Sequence, residues 1–347
     1  MENEIFLLAL AILSVFLLWW GFKVLPDERW QIVATVPVRK IDSERWDGVN
    51  ITYYGVFSAN AYLISMAMMF VLFGAIKIDI KASIVLVLII MMFCLPMARI
   101  AAMIVEKKAH TRTVGGAVFV GILVAPLAIL IVNKVMGSAI SIPIMPAMAV
   151  LAISYSLGEG VGRLACISFG CCYGKPLSQC VPFLQMLFRK FNFIFSGKTK
   201  KIAYEGGLDG EHVFPVQAIT AVLYIATGLI CTYLFLNAHY AVSFLLSVLI
   251  TQGWRFTSEI FRADYRGEGR FSVYQIMGIG TILYSSILWK WLPDSSMTAN
   301  IMDGIRTLWQ PEIIIFLQIV WLGIFLHTGC SKVTGATVSF HVHGNRI

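Results

Sequence analysis

At 347 residues the chain is long enough for about two soluble domains, but its composition excludes a soluble protein. Hydrophobic residues make up 58% and charged residues only 13%, with a mean hydropathy of +0.79, whereas a soluble domain carries roughly twice that share of charge. The net charge is +8, and because the basic residues lie between apolar runs they are expected to set topology or meet anionic lipid, not nucleic acid.

Nine apolar segments are long enough, or nearly so, to cross ~30 Å of hydrocarbon. Each is expected to be helical, because lipid offers backbone groups no hydrogen-bond partner. The first, IFLLALAILSVFLLWWGFKVL (5–25), is too long for a signal-peptide core. Glu2 and Glu4 stand where a signal peptide needs positive charge, so it is expected to be a retained transmembrane helix. The others run 51–75, 82–104, 114–136, 140–157, 214–236, 239–256, 271–291 and 312–328. The expected fold is all-α: a polytopic transmembrane helical bundle of about nine helices. Loop 26–50 is polar. Segment 158–213 is the longest break and is expected to be interfacial. Within it, PFLQMLFRKFNFIFSGKTKK (182–201) interleaves aromatic and basic residues. That pattern suits a helix in the headgroup layer or a loop with snorkelling side chains.

With nine crossings, alternate loops share a side. The side holding 26–50, 105–113, 158–213, 255–270 and the C-terminal tail carries 21 Lys and Arg, counting Lys23 at its helix end, and the other side five, counting Lys290. The positive-inside rule places the basic side in the cytoplasm.

Several segments carry residues suited to chemistry. GEGVGRLACISFGCCYGKP (158–176) sets Arg163 among glycines at the end of an apolar helix. An arginine at membrane depth is costly unless it pairs or binds an anion, and its planar fork suits a phosphate. In WRFTSEIFRADYRGEGR (254–270), Arg255, Glu259, Arg262 and Arg266 are spaced four, three and four apart. If helical they share one face, either as an anion seat with an internal counter-ion or as a solvated helix end. TRTVGGAVFVG (111–121) starts a helix on a glycine pair behind Arg112, where the helix N-terminus favours anions. Tyr53 and Tyr54 begin another helix as interfacial aromatics. Of seven cysteines, Cys166, Cys171, Cys172 and Cys180 crowd one segment. They lack the paired C-x2-C spacing or nearby histidines of a zinc site, so no metal is expected. The remaining readings are packing or a reactive thiol near Arg163 and Lys175.

In order along the chain stand Tyr54-Gly55, Ala98-Arg99, Gly115-Gly116, Gly162-Arg163-Leu164, Pro215-Val216-Gln217, and Arg255 with Glu259 and Arg262. This series resembles the prolipoprotein diacylglyceryl transferase family over roughly residues 50–290. The GCCYGKP run is similar to a divergent branch in which Cys-Cys-Tyr-Gly is common. The resemblance divides the chain into an additional N-terminal helix and polar loop (1–49), a transferase-like membrane core (50–292), and an additional C-terminal helix and tail (293–347). It implies a multi-pass enzyme of the cytoplasmic membrane that needs no cofactor. Such an enzyme moves the diacylglyceryl group of phosphatidylglycerol to a cysteine thiol of a lipoprotein precursor, with glycerol phosphate leaving. By resemblance, Arg163 and Arg255 hold the donor phosphate, Glu259 orients Arg255, and Tyr54 lies near the headgroup. Arg99, Gly115, Gly116, Gly162, Gly170, Gly174, Gln217 and Arg262 complete the implied substrate site. The family also implies that the arginine side faces away from the cytoplasm, opposite to the charge count.

The departures from the family fall on the acceptor side. Its His-Gly-Gly histidine aligns with Val114, its Arg-x2-Asn asparagine with Cys166, and its Asn-Gly-Glu glutamate with Cys171. In FPVQAIT (214–220), Phe214, Ile219 and Thr220 replace a histidine, a tyrosine and a glutamate. A thiol or hydroxyl acceptor still needs a base, and Glu159, Glu259 and His110 are the candidates. Two further readings stay open. One is a relative that uses a non-protein acceptor. The other is a non-catalytic lipid binder, transporter or structural subunit, although no internal repeat of the transporter kind is present.

Overall fold

The computed structural model describes residues 1–107, 113–137, 141–266 and 271–347. In chain order the elements are α1 (Glu2–Val24), β1 (Ile32–Lys40), β2 (Arg45–Thr52), α2 (Tyr53–Ala75), α3 (Ile80–Val105), α4 (Val114–Met136) and α5 (Ile144–Phe169). The short elements α6 (Pro182–Phe188), β3 (Phe193–Ile194), α7 (Lys201–Tyr204) and β4 (His212–Val213) follow. Then come α8 (Val216–Leu236), α9 (Tyr240–Ser258), α10 (Val273–Trp291), α11 (Ile301–Leu308), α12 (Pro311–Gly329) and β5 (Cys330–Ser339).

The chain is a polytopic helical bundle. Among the described residues, nine helices have 19 or more residues, one at each expected segment. Seven of them are long and apolar enough to cross a membrane. The other two, α9 and α10, carry Gln252, Trp254, Arg255 and Gln275, which dilute their hydropathy and point toward the interior.

Helix α5 forms the centre, buried along nearly its whole length, with α2, α8 and α9 packed on it. Small residues allow that close approach, as expected where helices pack without a hydrophobic driving force. A β-carbon at Gly158 would lie 2.6 Å from Ser65 Cβ, and one at Gly160 2.7 Å from Ile225 Cγ1. Hydroxyls add polar links: Ser65 donates to the Ser154 carbonyl at 2.8 Å, and Ser156 and Ser247 hydrogen-bond at 2.8 Å. By contrast, α3 and α4 form a hairpin whose outer face exposes Met92, Ile104, Leu127 and Val135 to the bilayer.

Three expectations need correction. The fifth helix does not stop at residue 157 but continues to Phe169, so Glu159 and Arg163 project from a helix rather than a loop. Glycine lowers helix propensity by only about 1 kcal/mol, and tight packing on both sides offsets that. Polar loop 26–50 is largely a β-hairpin, joined by β5 in an antiparallel sheet ordered β1-β2-β5. Its mixed sequence lacks strict alternation because much of the sheet stays exposed. Finally, α9 ends at Ser258, and Arg262 is extended, with φ −83° and ψ 149°. The four charged residues at 255–266 therefore do not share one helix face.

The α5–α8 connection begins only after Gly170. Helix α6 exposes Phe183, Met186 and Leu187, followed by exposed Phe191, with Arg189 and Lys190 between them.

Candidate active site

Where the last turns of α5 meet the ends of α2, α9 and α12, a cavity of about 530 Å³ opens. Its floor is ionic. Arg163 pairs with Glu159 one turn earlier on α5, and Arg255 reaches in from α9 to within 3.9 Å of the same carboxylate oxygen. All three side chains are nearly buried. Arg255 gets there because α4 starts on glycine: a β-carbon at Gly115 would lie 2.9 Å from Arg255 Nη1 and 2.7 Å from the Tyr274 ring. Thr113 caps this helix, its hydroxyl accepting from the Gly115 amide at 3.3 Å.

A second ionic cluster forms across a backbone crossing. The Lys175 amide donates to the Phe261 carbonyl at 2.9 Å, and the Ala263 amide to the Tyr173 carbonyl at 3.1 Å. Gly174 permits this crossing, since a β-carbon there would stand 2.2 Å from the Phe214 carbonyl oxygen. The crossing directs Arg262 into a bidentate pair with Asp264, at 2.8 and 2.7 Å. Asp264 also lies 3.2 Å from Arg266 Nε. Burial alone would raise the Asp264 pKa, but Arg262 and Arg266 outweigh it and hold the carboxyl below its ordinary value. Arg266 in turn binds Glu106 at 2.9 Å and lies 5.0 Å over the Tyr274 ring, whose hydroxyl donates to Glu106 at 3.0 Å. Planar guanidiniums held by carboxylates and aromatic rings are fixed donors, not mobile side chains.

The structure brings Tyr54, Arg99, Arg163, Gln217, Arg255, Glu259 and Arg262 to the cavity wall. The Gln217 amide donates to the Cys171 carbonyl at 3.0 Å. Gln217 Oε1 and Glu259 Oε2 are buried without a hydrogen-bond partner among the described residues. The glycines mostly serve packing. Gly116 meets Ala101, Gly162 faces Ala61, and Gly170, at φ +71°, ends α5 in the left-handed conformation that suits glycine. Of the candidate bases, Glu159 is the carboxylate shared by Arg163 and Arg255, and Glu259 lines the cavity. His110 and Arg112 lie outside the described residues.

Three cysteines gather at the same wall. Gly170 turns the chain back so that the Cys171 amide donates to the Cys166 carbonyl at 3.0 Å. Cys172 then adopts φ +56°, a left-handed conformation costly for a residue with a β-carbon. The Sγ atoms of Cys166, Cys171 and Cys172 all lie within 4.8 Å of one another, and Cys180 stands apart.

Sequence reasoning missed half of the wall. Glu106 and Asp264 were not singled out: Glu106 meets Arg266 only through the tertiary fold, and Asp264 joins Arg262 and Arg266, two residues to either side, because the backbone there is extended rather than helical. His327, Thr328, Cys330, Ser331 and Lys332, from the end of α12 and the start of β5, also line the cavity. Nothing in their local sequence signals it. They arrive because β5 pairs with β2, and because Gly55 and Gly329 let α2 and α12 touch: a β-carbon at Gly55 would lie 2.2 Å from Gly329 Cα.

No curated protein matches the chain. A family model described as prolipoprotein diacylglyceryl transferase matches residues 45–291, which carry most of the cavity wall but not the α12–β5 segment. The chain therefore belongs to the prolipoprotein diacylglyceryl transferase family, a family of membrane transferases.

Proposed function

We propose that the chain, in the cytoplasmic membrane, transfers the diacylglyceryl group of an anionic glycerophospholipid of the phosphatidylglycerol type to a cysteine thiol of a lipoprotein precursor. The observation that carries this reading is the charge of the cavity. Among the described residues, seven Lys and Arg and five carboxylates line it, a net of two positive charges. A phosphodiester headgroup enters with one negative charge and its phosphate leaves as a monoester with about two. Fixed guanidiniums in a low-dielectric site stabilise that developing charge without reorganising. Arg163 and Arg255, oriented by Glu159, face the phosphate, and Arg262, oriented by Asp264, meets the departing oxygen. Glu259 and Gln217 offer acceptors to the glycerol hydroxyls.

The volume suits a headgroup rather than a whole lipid, since pockets of about 300–1,000 Å³ hold small ligands. Exposed Arg99 and Val114 edge the cavity on the α3–α4 hairpin. A lipid entering there keeps its acyl chains in the bilayer. The acceptor thiolate attacks the glyceryl carbon that bears the phosphate. The S–C bond forms, the C–O bond breaks, and its electron pair leaves with glycerol phosphate.

The test is purified protein in detergent with headgroup-labelled phosphatidylglycerol and a peptide bearing an acceptor cysteine. Expected are a lipidated peptide and stoichiometric glycerol phosphate, both lost in Arg163→Ala. Lipid bound by the wild type with no release to any thiol, hydroxyl or amine acceptor would leave a binder and overturn the transferase reading.

A further inference from the structure

The proposed transfer needs a thiolate, and two of the positions that would take its proton do not offer a free base. Glu159 is held by two arginines, and Val114 stands where the family resemblance calls for histidine. Two other replaced positions, Cys166 and Cys171, are not scattered. With Cys172 they form one cluster, and all three line the cavity.

We infer that Cys166, Cys171 and Cys172 form a three-thiolate site for a zinc-class cation, with its fourth position open to the cavity for the acceptor thiol. The geometry favours it. Thiolates around tetrahedral zinc stand about 3.8 Å apart, within reach of sulfurs already less than 4.8 Å from one another. Sulfur donors select borderline or soft cations over magnesium or calcium. Three protein ligands and one open position are the pattern of a catalytic rather than a structural site.

The surroundings fit as well. Three thiolates and a dication carry one net negative charge, which the adjacent guanidiniums balance. Arg266 Nη2 lies 4.0 Å from Cys172 Sγ, as an outer partner to a ligand sulfur. Gln217 fixes the turn by donating to the Cys171 carbonyl. At Cys172, φ +56° favours glycine, so the thiol is kept there at conformational cost. Bound at the open position, an acceptor thiol gives up its proton to solvent and becomes a thiolate. It then attacks the glyceryl carbon, and glycerol phosphate leaves with the C–O electron pair. The inference rests on the transferase reading for the thiol that fills the fourth position, but not for the cation site itself.

The experiment uses full-length reduced protein in detergent, loaded with Zn²⁺ for elemental analysis and with Co²⁺ for spectroscopy. Expected are one ion per chain, sulfur-to-cobalt charge-transfer absorption, and tetrahedral d–d bands that shift on adding the cysteine peptide but not its serine counterpart. Cys171→Ser should weaken binding about tenfold or more, whereas Cys180→Ser should not. Cys172→Gly serves as the second variant, because it removes the thiol while relaxing the backbone, so it folds and still loses the cation. Absence of a stoichiometric ion on fully reduced protein, or an unchanged cobalt spectrum in Cys172→Gly, overturns the site. Transferase activity indifferent to chelation overturns the cation's role in binding the acceptor thiol, while leaving the transferase reading intact. A cation site that forms without any transfer does the reverse.

Discussion

Gly115 separates the demands of fold and site at a single residue. A β-carbon there would crowd the tip of Arg255 and the Tyr274 ring. The arginine tip can swing away cheaply, the buried Tyr274 ring less so, and the better helix propensity of alanine, about 1 kcal/mol, offsets part of that cost. Gly115→Ala should therefore lose only a little melting temperature in detergent but roughly a hundredfold in transfer rate, the scale of a 1 Å misplacement of a catalytic group. Asp264 behaves oppositely. It neutralises Arg262 and touches Arg266, all three nearly buried. Asp264→Asn would leave buried guanidiniums short of a counter-ion, a loss of about 3–5 kcal/mol. Its melting temperature should fall well below that of Gly115→Ala in the same detergent. The arginines themselves were legible in the sequence, because an arginine beside an apolar run needs a reason. Their partners were not. Glu159 is close to Arg163 in sequence, but Glu106 meets Arg266 only through the tertiary fold. Arg255, expected to answer to Glu259 four residues on, also lies 3.9 Å from Glu159 on another helix.

At the scale of elements, long helices were readable because the bilayer imposes length and apolarity on each. The connections were not, since they answer to tertiary contacts. The α5–α8 connection shows this at Lys200, which sequence placed in an amphipathic basic run. It is fully buried, its ammonium donating to the carbonyls of Ser168 at 2.7 Å and Leu25 at 3.1 Å. Burial lowers its pKa from 10.5 to about 8, against the pull of Asp27 and Glu28. Below pH 8 both folded and unfolded chains hold this proton, and its burial cost is fully present. Between about 8 and 10.5 the unfolded chain binds more protons than the folded one, so stability rises with pH. The gain approaches roughly 3 kcal/mol across that window. The melting temperature of the wild type, relative to Lys200→Met, should climb from pH 7.5 to 10. A constant difference across that range would count against the assignment. The hairpin of β1 and β2 was illegible for a related reason: its third strand comes from the opposite end of the chain.

For the whole molecule, the start of α2 and the α12–β5 junction meet at the cavity, and this bears on the orientation of the protein. The side that carries the cavity holds 21 Lys and Arg against five, which by the positive-inside rule argues for the cytoplasm. Several of those cations, Arg163, Lys201, Arg255, Arg262, Arg266 and Lys332, line the cavity. They are placed by the site's own chemistry and weigh less as topology signals. The rule also weakens over long connections, such as the one between α5 and α8. A lipoprotein acceptor, by contrast, presents its cysteine after export, so the proposed reaction requires the cavity to open outward. Cys330 offers the measurement. It is an exposed free thiol on the cavity wall, at the junction of α12 and β5. A membrane-impermeant maleimide should label wild-type protein in intact cells and lose that signal in Cys330→Ser. Labelling that appears only after permeabilisation would put the cavity on the cytoplasmic side, restore the charge count as the true guide, and remove an exported lipoprotein as the acceptor.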